Sequence, residues 1–257
     1  MMRPIILVTN DDGVDAKGIT FLTEIMRSFG DVVVVAPKEV MSGMGHAVTV
    51  KSPLRVKRIT REDGFEKYSC NGTPVDSVKL AEQVILRKKP DLLVSGINHG
   101  SNSAVNILYS GTMAAVIEGS ISGIPSVGFS LTDFSPNADF SSCEQYIRTI
   151  VENVLNEGLP RGICLNVNIP AIPGDEIKGI MVCKQGNGQW AEEFDERKDP
   201  RNRDYYWLTG VFRSFENGND TDEWALANKY VSVVPVHYDL TAHNELSTIK
   251  KWKLNAQ

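Results

Sequence analysis

Apolar residues in the first half of this chain fall into short blocks that alternate between two spacings. Ile5–Val8 is an unbroken apolar run of strand length. Ile19, Leu22, Ile25, Met26 and Phe29 then recur at helical spacing within 16–29. Asp31 to Ala36 predicts a second buried strand, stopped by Pro37. Residues 46–50 and 54–59 are extended in character and suit an antiparallel pair. Pro74 takes the first-turn position of a helical stretch running through Leu86. Asp91–Ser95 and Ser126–Phe129 predict strands on either side of a helix over 111–122. A strand–helix period of this kind implies a mostly parallel sheet, with helices on both faces and right-handed crossovers.

The second half starts with a polar loop over 133–140, followed by a helix with one apolar face from Cys143 to Leu155. Ile163–Ile169 and Ile177–Cys183 predict further strands. Residues 184–224 differ in kind. They are polar and Gly/Asn/Asp-rich, with Trp190, Tyr205, Tyr206, Trp207 and Phe212 interspersed. Hairpins or an extended arm are expected there, its aromatics serving an interface or a lid. Val231–Val236 predicts a late strand, and the last dozen residues a loose tail. No internal repeat or low-complexity tract is visible. We expect one domain over 1–257, with a core over 1–183 and an arm and C-terminal segment over 184–257.

Composition narrows the function classes. The 257 residues are 42% hydrophobic, enough to bury a full core. A net charge of −5 argues against a nucleic-acid duplex as partner. It does not exclude a small anionic substrate, because a metal can supply positive charge locally. Cys70, Cys143, Cys164 and Cys183 form no C-x-x-C pair, which disfavours a zinc cluster and fits buried, reduced thiols. No apolar stretch is long enough for a membrane span or a secretory leader, so a soluble, cytoplasmic protein is expected.

Chemistry concentrates where the apolar runs end. Asp11 and Asp12 follow the first strand, between Asn10 and Gly13. Like charges so placed raise each other's pKa unless a cation or strong donors compensate. A hard metal resolves that conflict, and an ordinary Asn-Asp-Gly turn is the other reading. After the second strand comes Ser42-Gly43-Met44-Gly45, whose hydroxyl can ligate a metal, bind phosphate or attack as a nucleophile. A flexible glycine-rich loop is the plain alternative. After Asp91–Ser95 comes Gly96-Ile97-Asn98-His99-Gly100-Ser101-Asn102, which offers the neutral oxygens of Asn98 and Asn102. Ser110, Gly111 and Thr112 open the 111–122 helix, as either a helix-start anion site or a simple cap. Asn71-Gly72-Thr73-Pro74, another polar turn before a helix, is more often a cap than a ligand site. A parallel sheet gathers such loops at one edge, and their oxygen donors suit Mg²⁺, Mn²⁺ or Ca²⁺. A hard metal beside a helix-start anion hole is equipment for phosphoryl chemistry. His46 fits a structural role, and His99 a structural or proton-transfer role; His237 and His243 carry no motif.

These pieces together resemble the SurE family of survival-protein phosphatases. They are N-D-D-G (10–13), A-P (36–37) with S-G (42–43), N-G-T-P-x-D (71–76), S-G-I-N-x-G-x-N (95–102) and Y-S-G-T (109–112) with A-A-x-x-E-G (114–119). A late D-T-D (220–222), Y-V-S-V-V-P (230–235) and D-L-T (239–241) complete the set. The resemblance implies a Rossmann-like α/β core with a C-terminal extension exchanged between subunits of a homodimer or tetramer. It implies a metal-dependent nucleotidase acting on nucleoside 5′- and 3′-monophosphates, with short polyphosphate as a further substrate. It also implies one divalent ion per subunit (Mg²⁺ or Mn²⁺, with Ca²⁺ in the same class) held by Asp11, Asp12, Ser42 and Asn98. Ser110, Gly111 and Thr112 would hold phosphate, with Asn71 and Asn102 beside the substrate. Asp11 and Asp12 would be catalytic, Asp11 as the favoured proton acceptor. His46-Ala47-Val48-Thr49, Ser77 and Met113 depart from the family pattern without touching the proposed ligands. A covalent route through Ser42 or Asp11 is the mechanistic rival, although Gly13 breaks a D-x-D pattern. A non-catalytic nucleotide-binding module and an oligomeric scaffold are the rivals from other classes. The first lacks a glycine-rich phosphate turn after the first strand.

Overall fold

A computed structural model describes residues 3–191, 194–216, 218–252 and 254. The apolar runs do become strands: β1 (Ile5–Thr9), β2 (Asp31–Pro37), β5 (Leu92–His99), β6 (Ser126–Leu131) and β7 (Ile163–Ile169). With β3 (Val56–Glu62), β4 (Phe65–Cys70), β8 (Ile180–Val182) and β13 (Val231–His237) they form one sheet, in the order β3-β4-β2-β1-β5-β6-β7-β13-β8. Pairing is parallel from β4 through β7. Within this sheet, among the described residues, only β3–β4 and β13–β7 are antiparallel; β13–β8 is parallel.

The runs are continuous because both faces of the sheet are covered. Ile6, Val8, Val32, Val34, Leu92 and Val94 point to one side, where helix α1 (Lys17–Arg27) and helix α4 (Glu144–Glu157) pack. Leu7, Val33, Val35 and Leu93 point to the other, against α2 (Pro74–Leu80) and α3 (Gly111–Ile121). Chain direction across the sheet reverses between β1 and β5. In an open α/β sheet the crevice at such a reversal, beyond the carboxyl ends of the strands, is the ligand site. The fold is therefore the α/β, Rossmann-like one expected.

Several elements differ from expectation. Residues 46–50 form no strand, and Val48 and Val50 are exposed. The antiparallel partner of β3 is β4, joined through Asp63-Gly64 with Gly64 at φ +68°. Asp-Gly is a hairpin signal, but the charged, half-buried β4 segment hid the strand. The 177–183 strand shrinks to β8, because Gly179 at φ +139° breaks it while Ile177 turns into the core. The helix from Pro74 widens to a π-helical stretch over Ala81–Leu86 and stops at Arg87, φ +54°. A short helix, α5 (Asp222–Ala227), is capped by the Thr221 hydroxyl and was not expected. The C-terminal segment holds a further short helix, α6 (Leu246–Ile249), rather than a loose tail; residues 253 and 255–257 lie outside the described ones.

Residues 184–224 do form hairpins. β10 (Phe194–Lys198) pairs with β11 (Asp204–Leu208), and β9 (Gly188–Ala191) with β12 (Val211–Ser214). The pairs are nested in sequence, as in one interrupted ribbon. Tyr206, Trp207 and Leu208 are exposed on it. Among the described residues no helix is long and apolar enough to cross a membrane.

Helix α1 crosses the sheet at Gly18. A β-carbon there would sit 2.1 Å from the Ile97 carbonyl oxygen, a backbone atom that cannot yield. Gly18→Ala is therefore expected to cost about 1–3 kcal/mol. Urea unfolding checks it: the midpoint should fall with an unchanged slope, and an unchanged midpoint would refute the close packing.

Candidate active site at the carboxyl edge of the sheet

The site is built on the turn after β1. The Asn10 amide donates to the Gly13 carbonyl at 2.9 Å, and Gly13 sits at φ +101°, where a side chain would be strained. This turn drives Asp11 inward, leaving it only 3% exposed. Its Oδ1 accepts from the Thr112 hydroxyl at 2.6 Å, beside the first backbone N–H groups of α3. Residue 111 must be glycine for this approach, since a β-carbon would lie 2.7 Å from Asp11 Cβ. Burial pushes the Asp11 carboxyl above its ordinary value, and these donors only partly offset it.

Asp12 is half-buried. Burial, then the charge of Asp11, pushes its carboxyl up to about 6, against smaller opposing effects from the His99 ring and backbone N–H. Asp12 Oδ2 and Asn10 Oδ1 are buried with no hydrogen-bond partner. Two adjacent carboxylates with an orphaned oxygen call for a cation. The described residues hold no cluster of three or more His, Cys, Asp or Glu, so neutral oxygens must complete any donor set.

Two further loops reach this turn. The Met41 N–H donates to the Asp11 carbonyl at 2.7 Å, which brings the exposed Ser42 alongside. β5 pairs with β1 up to Thr9 and Ser95, and His99 acts electrostatically on Asp12, which brings Asn98 to the same edge. Both donors of the Asn98 amide are committed to loop carbonyls, Gly100 at 2.8 Å and His99 at 3.2 Å, so Oδ1 is the atom left to face a cation. An oxygen-only set of two carboxylates, a hydroxyl and an amide fits a hard divalent cation. The structure thus brings the turns carrying Asp11, Asp12, Ser42, Asn98 and Ser110–Thr112 together.

Other expected residues are differently employed. The Thr112 hydroxyl, expected on phosphate, is given to Asp11. Ser110 caps α3 by accepting from the Met113 N–H at 3.0 Å, which leaves its hydroxyl proton to donate. Asn102 is a buried strut: its amide donates to Ser130 Oγ at 2.9 Å, and its N–H to Asn168 Oδ1 at 2.7 Å. Asn71 is engaged by its neighbouring loop, its Oδ1 accepting from the Arg55 N–H (2.7 Å) and its amide donating to the Pro53 carbonyl (3.2 Å). His99 donates from Nδ1 to the Ser135 carbonyl at 2.9 Å and lies edge-on to Phe140. His46 is structural, as its context suggested.

Residues to which the sequence assigned no ligand role hold the Ser42 loop. His46 Nε2 meets Glu118 Oε2 at 3.1 Å, and Lys79 pairs with Glu118 Oε1. Asp76 accepts from the N–H groups of Thr49 and Thr73, while the Thr73 hydroxyl donates to the Ala47 carbonyl at 2.8 Å. Thr73 and Asp76 make a capping box, which T-P-x-D could have announced.

Sheet, reversal point and oxygen-lined turn define an α/β protein built to hold a cation beside a helix start. Comparison with known proteins gives the particular group. The model of the family described as "Survival protein SurE" matches residues 6–192, and the chain belongs to that family. The relative named 5′-nucleotidase SurE in Christiangramia forsetii is 56% identical over 255 residues, covering 98% of each chain. The Flavobacterium psychrophilum protein of the same name is 53% identical over 256 residues, covering 99% of this chain and 100% of that one. The crystal structure of the SurE protein from Aquifex aeolicus superposes with a TM-score of 0.83 at 42% identity, covering 96% of this chain and 98% of that one.

The Glu118 contacts make an acid-stability prediction. Its hydrogen bond to His46, aided by Lys79, holds the Glu118 carboxyl below its ordinary 4.5 despite burial. The contribution is therefore complete above that value and is lost as pH falls through the lower folded one. Glu118→Gln should be less stable than the parent at pH 6, with the gap closing below pH 4. A gap that widens with acid would reverse the assignment.

Proposed function

We propose that this chain is a phosphoric monoester hydrolase of the 5′-nucleotidase type. Its substrates on this reading are nucleoside 5′- and 3′-monophosphates, with short polyphosphate as a further one. The observation that carries the reading is the buried Asp11–Asp12 pair, with an orphaned oxygen, packed against the start of α3. The names of its relatives point the same way. Asp11, Asp12, Ser42 and Asn98 would hold one divalent ion, Mg²⁺ or Mn²⁺. When bound, it supplies Lewis-acid stabilisation of phosphate oxygens.

The chain's own groups do the rest. The Ser110 hydroxyl donates to a phosphate oxygen, and the α3 dipole favours the negative charge. Asp12 suits the proton from the attacking water better than Asp11. Its Oδ2 is buried with no protein donor, whereas Asp11 Oδ1 already receives the Thr112 hydroxyl. The exposed aromatic ribbon is the surface we assign to a homodimer, of which a tetramer is an extension. We place the enzyme in the cytoplasm, with 1–257 acting as one domain.

Chelator-stripped protein should be inactive on 5′-AMP and regain activity with Mn²⁺ or Mg²⁺. Asp12→Asn should lower kcat by about 10²–10⁴-fold. Activity that survives chelation or that substitution would contradict the proposal. Because ligand carboxylates must be ionised, Mn²⁺ should raise Tm strongly at pH 8 and weakly at pH 5. A thermal shift independent of pH would exclude Asp12 as a ligand.

A further inference from the structure

The ribbon is bound to the loop that leads into the start of α3, and two side chains make the connection. Trp190 in β9 donates its indole N–H to Asn106 Oδ1 at 2.8 Å. Asn106 lies in the 3₁₀ turn Ala104–Leu108, and its carbonyl accepts the N–H of Tyr109, the residue before Ser110. The Trp190 ring is itself held edge-on against Phe212 of β12, with centroids 6.1 Å apart. The ribbon base therefore grips the loop at Asn106, four residues before the α3 cap, and the Asn106 carbonyl carries the connection on to Tyr109.

The second connection runs through Asp222 at the start of α5. Its side chain is fully buried, and no cation pairs with it among the described ion pairs. Its Oδ2 accepts from the Ala104 N–H at 2.8 Å. Its Oδ1 accepts from the N–H groups of Gly186 at 2.8 Å and Glu223 at 2.9 Å. Gly186 lies two residues before β9, and a β-carbon there would meet Asp222 Oδ1 at 2.9 Å. Next to Asp222, the Glu223 carboxylate accepts the Ser103 hydroxyl. A buried carboxylate is tolerable only when donors surround it, so these three N–H groups are tightly constrained. Ala104 has φ +50°, a conformation a non-glycine residue holds only when its surroundings impose it.

We propose that the ribbon base is a positioning device for the phosphate loop. Trp190 and Asp222 set the conformation of residues 103–110, and through it the Ser110 hydroxyl and the start of α3. The inference rests on the reading of the Ser110 hydroxyl and the start of α3 as the phosphate site. It assigns Trp190, Asn106 and Asp222 an effect on phosphate affinity although none of them touches the substrate. A purely structural role would lower stability and the active fraction together, leaving the affinity of the surviving sites intact.

The test uses full-length protein saturated with Mn²⁺, 5′-AMP as substrate and inorganic phosphate as competitive inhibitor. Trp190→Phe keeps a ring against Phe212 and removes only the donor; Asn106→Ala removes the acceptor. Each should raise the KM and the phosphate inhibition constant together, by about three- to tenfold. The double variant should be no worse than either single one, because the two residues share one bond. Asp222→Asn keeps the shape, loses an acceptor and should shift both constants in the same direction. Lower kcat with unchanged KM and inhibition constant would overturn the proposal, as would additive effects in the double variant. An unsubstituted protein that hydrolyses 5′-AMP but is not inhibited by phosphate would instead sink the phosphate-site reading, and this inference with it.

Discussion

One buried carboxylate organises this molecule. Asp11 lies at the carboxyl end of β1 with almost no water contact, and burial alone would drive it to its neutral form. The Thr112 hydroxyl and the first N–H groups of α3 oppose that drive, so the helix start and the strand end fix each other's position. Asp12, next in the chain, inherits the unresolved charge: its oxygen is buried and unpartnered, and its proton affinity is raised. A divalent cation resolves both problems at once. The demand for one is built into the backbone turn rather than into any single ligand.

The loops around this turn are held by side chains that never face the substrate. Glu118, in the last half of α3, collects His46 and Lys79 and so anchors the segment that follows Ser42. Asp76 does the same for Thr49 while closing its own helix cap. Asn166 and Asn168 on β7 hold the backbone of Asn102. These buried polar groups work through hydrogen bonds whose cost of loss is high in a low-dielectric interior. Rigid loops with free oxygens at their tips are the result.

Much of this was legible in the chain, for identifiable reasons. β1, β2, β5 and β6 are buried on both faces, so their apolar runs have no polar interruptions to confuse them. The candidate turns were legible because Asn, Asp, Gly and Ser directly follow those runs. β4 was missed because it is half-buried, with Glu66 and Lys67 in its middle. Val48 and Val50 suggested a strand, yet that segment is tethered through the Thr49 N–H and the Ala47 carbonyl, contacts that single-chain periodicity cannot show. Asn71 and Asn102 look like substrate ligands in sequence, because an amide that braces a loop and one that binds a ligand have the same letter. Asp222 had a motif, but two of its three N–H partners, Ala104 and Gly186, come from segments far from it in the chain.

The central claim is that the Asp11–Asp12 turn holds a divalent ion with help from two other loops. Anomalous diffraction at the manganese edge, from crystals grown with Mn²⁺, tests it most directly. The account predicts a single strong peak in contact with the Asp11 and Asp12 carboxylates, Asn98 Oδ1 and Ser42 Oγ. A well-ordered turn with no peak, or a peak bound only by surface carboxylates elsewhere, would contradict it.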